Sequence, residues 1–179
     1  YADVSDVAPF DVNIRGTCNV LEAAQREGIS RIIQIASAET HVDHPTNSFL
    51  DDSSPYFGLA TYYDLTKALQ ENICRWFAHH YRLEIALLRL GDVVDVSSGT
   101  AKKGEDSWNG SIDTDAWIDR YDAANACLKL LQHRFEGVKV FHLVGAPSAL
   151  EKFDVERTLK SLDLTITSDI DKRPASMRN

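Results

Sequence analysis

Tyr63 and Lys67 stand four residues apart in the string YYDLTK (62–67). On a helix that spacing places both side chains on one face, one turn apart. A free phenol ionises near pH 10 and is a poor base at neutral pH. A neighbouring ammonium favours the phenolate and lowers that value. Such a pair can exchange a proton with a substrate hydroxyl or carbonyl. Ser37 ends the apolar string RIIQIAS (31–37) and can hydrogen-bond the same oxygen. A Tyr–Lys pair also suits a solvated helix face, and Ser is common at strand ends. Order gives the set its weight: strand, serine, loop, helix with the pair, then a second apolar strand.

The elements that must position these residues are legible as patterns. Ile14, Cys18, Leu21 and Ala24 recur at helical spacing in a segment that ends at Gly28, a natural helix stop. RIIQIAS reads as a buried parallel strand. Residues 38–60 are polar, carry Pro45 and Pro55, and read as a long loop of the kind that often bears function. A helix is predicted over 61–80, with Leu65, Leu69, Ile73, Trp76, Phe77 and His80 in period, then a strand over 83–94. Residues 95–116 read as a loop rich in Ser, Gly, Lys and Asp. A helix over 119–132 and a strand over 139–144 follow. Ser148 and Glu151 have capping-box spacing before a helix over 150–162, and LTIT after it reads as a short strand. Alternating helices and buried strands predict an α/β fold with a parallel sheet. Its ligands should lie at the carboxyl ends of the strands, near Ser37 and Asp92.

Bulk properties narrow the classes. The chain has 179 residues, is 44% hydrophobic and 26% charged, and carries a net charge of -8. That charge argues against general nucleic-acid binding. No apolar run approaches membrane-spanning length, and no signal peptide is visible at the N-terminus. Cys18, Cys74 and Cys127 lie far apart, without metal-ligand spacing; three thiols suit the reducing cytoplasm. No metal site is expected. His79 and His80 suit a helix C-terminus, and Trp76, Trp108 and Trp117 suit packing. Lys102 and Lys103 suit a solvated loop or a substrate phosphate.

Taken together, VNIRGTCNVLEAA (12–24), RIIQIAS (31–37), YYDLTK (62–67) and LEIALLRLGDVV (83–94) resemble the extended short-chain dehydrogenases, the NAD-dependent epimerase/dehydratase type. WIDRYDAANACLKLL (117–131) and VFHLVG (140–145) add weaker support. The resemblance covers most of residues 10–145. It implies a partial doubly wound, Rossmann-like parallel sheet with a small C-terminal substrate-binding lobe. Residues 1–95 would be the C-terminal part of the NAD(P)-binding domain. Residues 96–179 would be the substrate-lobe region, with helix 119–132 and strand 139–144 returning to the Rossmann sheet.

The resemblance further implies a catalytic set of Ser37, Tyr63 and Lys67, in which Tyr63 is the acid/base and Lys67 also holds the nicotinamide ribose. It places Asn13 and Gly91 beside the cofactor, NAD or NADP, and Asp92 with Ser37 beside a sugar or sugar-nucleotide substrate. Asn13 equally suits a helix cap and Asp92 a strand-end turn. A homodimer through the helices at 14–27 and 61–80 is implied by the same analogy. The uronate dehydrogenases are one subgroup resembled.

Departures from the family pattern set an alternative beside this reading. The nine glycines never form GxxGxxG, the chain starts at Tyr1, and its only methionine is Met177. The expectation is a chain whose pyrophosphate-binding front end is missing and which exposes an apolar sheet edge. The alternative is a non-catalytic nucleotide-binding sensor or scaffold, or an inactive fragment. His41-Val42 replaces the usual Tyr-Gly, and no Tyr-Gly-Pro-like turn follows the 83–94 strand.

Overall fold

The computed structural model describes residues 7–41, 49–54, 56, 61–97, 117–146, 150–168 and 170. A three-stranded parallel sheet forms its centre, in the order β1 (Arg31–Ser37), β2 (Glu84–Leu90), β5 (Val138–Leu143). Ser37 stands opposite Leu90, and Arg89 lies between Ala36 and His142. Among the described residues no strand pairs with the outer edge of β1, where Ile35 is exposed.

Parallel strands need crossovers, and here the crossovers are helices. A π-helical turn (Phe10–Arg15) runs into α1 (Gly16–Arg26), which stops at Gly28 with φ +72°. α2 (Tyr62–Tyr81) joins β1 to β2, and α3 (Arg120–Gln132) precedes β5. α4 (Val155–Leu162) follows β5. β2 is buried on both faces, as a central parallel strand should be. Ile85 and Leu87 pack with Leu21, Cys74, Phe77 and Ala78 of α1 and α2. Ala86, Leu88 and Leu90 pack with Ala123, Ala126 and Leu130 of α3 and Leu162 of α4. The α/β class with a parallel sheet is thus as the sequence predicts.

Five features differ from the sequence reading. The first helix opens as a π turn at Phe10 rather than at residue 14. The strand expected over 83–94 breaks at Gly91, whose N–H donates to Leu143 O (3.3 Å). Beyond it, β3 (Asp92–Val94) leaves the main sheet and pairs in parallel with β4 (Trp117–Asp119). Periodicity did not reveal β4 because it is three residues long and runs straight into α3, where Asp119 caps Tyr121 N. The last helix begins at Val155, capped by Asp154, not at 150; Ser148 of the expected capping box lies outside the described residues. LTIT forms no strand, because Thr167 and Ser168 give their N–H groups to the buried Asp122 carboxylate instead.

β3 and β4 sit over the carboxyl end of the main sheet, in a small core of Ala38, Leu50, Val94, Trp117, Val144, Ala146, Phe153 and Val155. Gly145 lies close against β4. Its N–H donates to Trp117 O (2.5 Å), and a Cβ there would stand 3.1 Å from Ile118 Cδ1 and 3.3 Å from Trp117 O.

Candidate active site

Tyr63 sits in the first turn of α2, where the helix start is fixed by its cap. Thr61 accepts from Asp64 N, and the Asp64 carboxylate accepts from Thr61 N and Oγ1. Satisfying orphan donors in this reciprocal way pins the first turn. Lys67 follows one turn on, facing the sheet, and is only 8% exposed. Its Nζ donates to Ile35 O (2.6 Å), two residues before Ser37, and to Gln70 Oε1 (2.8 Å). A buried ammonium needs such acceptors, because burial without them is costly.

The network extends to the π turn. Gln70 Nε2 donates to Thr17 Oγ1 (2.7 Å) and Asn13 O (3.3 Å). Asn13 Nδ2 donates to Thr66 Oγ1 (3.0 Å), which in turn donates to Tyr63 O (3.0 Å). Asn13, Tyr63, Thr66, Lys67 and Gln70 therefore form one hydrogen-bonded unit. A π turn at this place agrees with the tendency of such turns to occur at functional sites.

Ser37 is buried at the end of β1, and Thr40 Oγ1 donates to its carbonyl (2.9 Å), shaping the turn that follows. Gly91 and Asp92 emerge from β2 at the same end, opposite and just beyond Ser37. Asp92 is exposed, and among the described residues its carboxylate makes no hydrogen bond or ion pair. Asn13, Tyr63 and Lys67 are thus linked through Thr66 and Gln70, Tyr63 by its backbone carbonyl. Ser37, Gly91 and Asp92 share their sheet end.

A second polar cluster lies one turn further along α2. Glu71 receives a two-point hydrogen bond from Arg89 (Nε to Oε1 2.8 Å, Nη2 to Oε2 2.9 Å), and both residues are fully buried. Tyr56 Oη donates to Glu71 Oε2 (2.8 Å), and the Arg89 guanidinium lies 5.7 Å from the Tyr56 ring centre. Arg89 Nη1 donates to Asp51 O (3.4 Å) and to His142 Nε2 (3.2 Å). Guanidinium nitrogens only donate, so His142 Nε2 accepts and carries no proton. Burial works against the Arg89 charge, but the hydrogen bonds and charge of Glu71 outweigh it and hold its pKa above the ordinary range. Burial, then the Glu71 charge, push the Tyr56 phenol up to about 12 and the Cys74 thiol likewise to about 12. The Asp51 carboxyl is lowered by hydrogen bonds from Ser53.

The sequence reading did not include Gln70, Glu71 or Arg89. Two signals could have found them. Gln70 and Glu71 stand three and four residues after Lys67, on its helix face. Arg89 is a lone charge inside the apolar run LEIALLRL.

Among known proteins, the family model described as "NAD dependent epimerase/dehydratase family" matches residues 3–144. The chain belongs to this NAD-dependent epimerase/dehydratase family. A curated relative, the uronate dehydrogenase of Pseudomonas syringae pv. tomato, is 30% identical over 95 residues, covering 51% of this chain and 34% of the relative. The UDP-glucose 4-epimerase of Bifidobacterium longum, solved with NAD+ and UDP, superposes with a TM-score of 0.72 at 18% identity, over 92% of this chain and 67% of that one. A mutant uronate dehydrogenase from Agrobacterium tumefaciens, complexed with NAD, gives 0.70 at 21% identity, over 94% of this chain and 60% of that one. At these identities the solved structures establish the Rossmann-type epimerase/dehydrogenase fold. The chain spans only part of its relatives' length: 34% of the curated enzyme and 53% of another solved uronate dehydrogenase. No helix among the described residues is long and apolar enough to cross a membrane.

Proposed function

We propose that this family member is an NAD(P)-dependent oxidoreductase or epimerase that works at a hydroxyl of a sugar or sugar nucleotide, using Ser37, Tyr63 and Lys67. One observation carries the reading: Lys67, one turn from Tyr63, is buried with its Nζ 2.6 Å from Ile35 O, at the end of the strand that finishes in Ser37. A lysine held only for solubility would not be buried there.

The donor set fits the ribose end of a dinucleotide. The Lys67 ammonium, the first turn of α2 that carries Tyr63 and the Asn13 turn are joined in one hydrogen-bond network near the carboxyl end of β1, and open α/β sheets take such ligands at their strand ends. Tyr63, Lys67, Asn13 and Gly91 would hold it. When bound, the nicotinamide accepts or returns a hydride at the substrate carbon. Tyr63 Oη takes the hydroxyl proton as the carbonyl forms and gives it back in reverse. The Lys67 charge favours the phenolate and so adapts Tyr63 to neutral pH. Ser37 hydrogen-bonds the reacting oxygen and holds it in line, with Asp92 contacting the substrate beside it.

The similarity to a uronate dehydrogenase favours a sugar acid over a sugar nucleotide as the first substrate to try. We place the cofactor-binding part in residues 1–95 and the substrate lobe in 96–179, with α3 and β5 returning to the sheet. We also propose that two copies pair through α1 and α2, on which Val20, Leu69 and Trp76 are exposed.

The test is nicotinamide reduction with a panel of uronic acids, and epimerisation with the matching UDP-sugars, in wild type and Tyr63→Phe. Turnover of one panel, abolished by the substitution, supports the reading. Cofactor binding with no turnover of either panel would favour the non-catalytic alternative.

A further inference from the structure

We propose that the buried Glu71–Arg89 pair is the positioning element of this site: it fixes the angle of α2 on the sheet, and holds Asp51 and Tyr56, in the connection between Ser37 and Tyr63. The proposal rests on the functional reading above for its kinetic consequence, and on geometry alone for its structural one.

The argument begins with cost. Arg89 is 1% exposed on a strand whose other buried residues are apolar, and Glu71 has no exposed surface. Taking two charges out of water is expensive, and well-packed apolar residues in the same place are often as stable or more so. Stability alone therefore gives no reason for ions at this position. Direction does. A guanidinium–carboxylate fork tolerates little rotation, whereas aliphatic packing slides.

The placement of the fork matches what the site requires. Lys67 and Glu71 are one turn apart on the same face of α2. Lys67 lands on β1 at Ile35, and Glu71 lands on β2 at Arg89, the residue paired with Ala36. Two pins one turn apart, on adjacent strands, fix both the height and the rotation of the helix turn that carries Tyr63. The first pin is Lys67 itself, which the reaction needs elsewhere. The second pin is free of that duty.

The same pair reaches into the connection between Ser37 and Tyr63. Tyr56 Oη ends on Glu71, and Asp51 O ends on Arg89. From there the 49–54 segment is stitched to the C-terminal part of the chain. Leu50 N donates to Lys152 O (2.7 Å), Asp154 N donates to Leu50 O (2.9 Å), and Arg157 Nη1 pairs with Asp52 (3.1 Å). Glu71 and Arg89 thus connect the catalytic helix to the segment on which the C-terminal lobe rests. They are positioning residues, since they act through Tyr63 and Lys67.

The experiment compares the protein with Glu71→Leu/Arg89→Met, which replaces both charges by apolar side chains, and with the near-isosteric Glu71→Gln. Hydrogen exchange is read in segments 49–54 and 61–71, beside the melting temperature and the pH profiles of kcat and KM. Expected for the double variant is a melting temperature close to wild type and amides in both segments exchanging about tenfold faster or more. Its kcat should fall about tenfold or more, with little change in KM and a displaced pH profile.

A folded double variant with wild-type exchange in 61–71 and wild-type kcat overturns the proposal. Should that variant not fold, Glu71→Gln decides on the same readouts, with smaller but like-signed changes expected and none overturning it. If the wild type turns over no sugar, the functional reading fails. The exchange result still decides the positioning.

Discussion

The two halves of α2 bury the same face by different means. From Asp64 to Glu71 that face is polar, and Lys67, Gln70 and Glu71 reach fixed partners on β1, α1 and β2. From Cys74 to Ala78 it is apolar and packs on Leu21, Leu83 and Ile85. Apolar burial is non-directional and stabilises in rough proportion to area. Hydrogen bonds and ion forks add less net stability but set angles. The half distal to the strand ends holds the helix on the sheet. The half near Ser37 sets where Tyr63 and Lys67 point. Substitutions in the two halves should therefore separate stability from catalysis.

The largest expected effect is on the reactive end. Tyr63→Phe should lower kcat by about 10²–10⁴-fold, the usual worth of a positioned acid or base, while the melting temperature stays near wild type. Steady-state turnover beside a thermal melt checks both halves of that statement. A variant that loses stability and keeps its rate would place Tyr63 among packing residues.

Arg89→Ala tests the border between the halves. It leaves the buried Glu71 carboxylate without its main partner, and breaking such a pair by removing one member costs about 3–5 kcal/mol. Chemical denaturation should show that loss, and a cost under about 1 kcal/mol would mean that water reaches Glu71.

The distal half should answer in the opposite sense to Tyr63. Leu21 is 1% exposed and packs against Cys74 and Phe77. Leu21→Ala should cost about 2–5 kcal/mol through lost burial and the cavity left behind, with kcat retained at temperatures where the variant is folded. A large fall in kcat with intact stability would erase the distinction between the halves.

How much was legible follows the same division. Apolar periodicity gave β1 to the residue and α2 to within one, because burial on one face or two leaves a period in the sequence. The Tyr63–Lys67 spacing could be read for the same reason. The partners of those residues could not. Gln70 to Thr17 and Arg89 to Glu71 are contacts across 53 and 18 residues, and nothing local in a sequence records which distant group receives a hydrogen bond. β4 was missed on other grounds: its three residues are buried at both ends of a short bridge to β3, and no alternation can be read in so few. The break at Gly91 was hidden because apolar residues, Leu90 before it and Val93 and Val94 after it, continue the run, so two strands read like one.

A smaller effect is expected at the entrance to the polar half. Thr61 closes the capping box with Asp64, and Thr61→Ala should cost about 1 kcal/mol. If the polar half sets angles, this variant should lose more in kcat than its stability implies, because the released turn carries Tyr63. Thr61→Ser restores the cap and should restore the rate. A serine variant no better than alanine would mean that the cap hydroxyl does not steer Tyr63.

The smallest expected effect is a pH dependence from Tyr56. Its phenol donates to Glu71, and burial, then that negative neighbour, raise its pKa to about 12 in the folded chain. In the unfolded chain a tyrosine titrates near pH 10. A group whose pKa is raised by folding contributes stability that is complete below its unfolded value and is lost as pH climbs through the folded one. The contribution of Tyr56 should therefore be present up to about pH 10 and disappear by about pH 12. Denaturation midpoints at rising alkaline pH will include the titration of other tyrosines and lysines, so the difference from Tyr56→Phe is the informative quantity. The wild type should start the more stable and converge on the phenylalanine variant across that window, because a phenol that cannot ionise has no such term to lose. Parallel curves would mean that Tyr56 is well solvated when folded, and that the hold of this pair on the connection comes through the Arg89–Asp51 contact. Convergence would show that the polar half of α2 holds this segment through a bond that high pH can open.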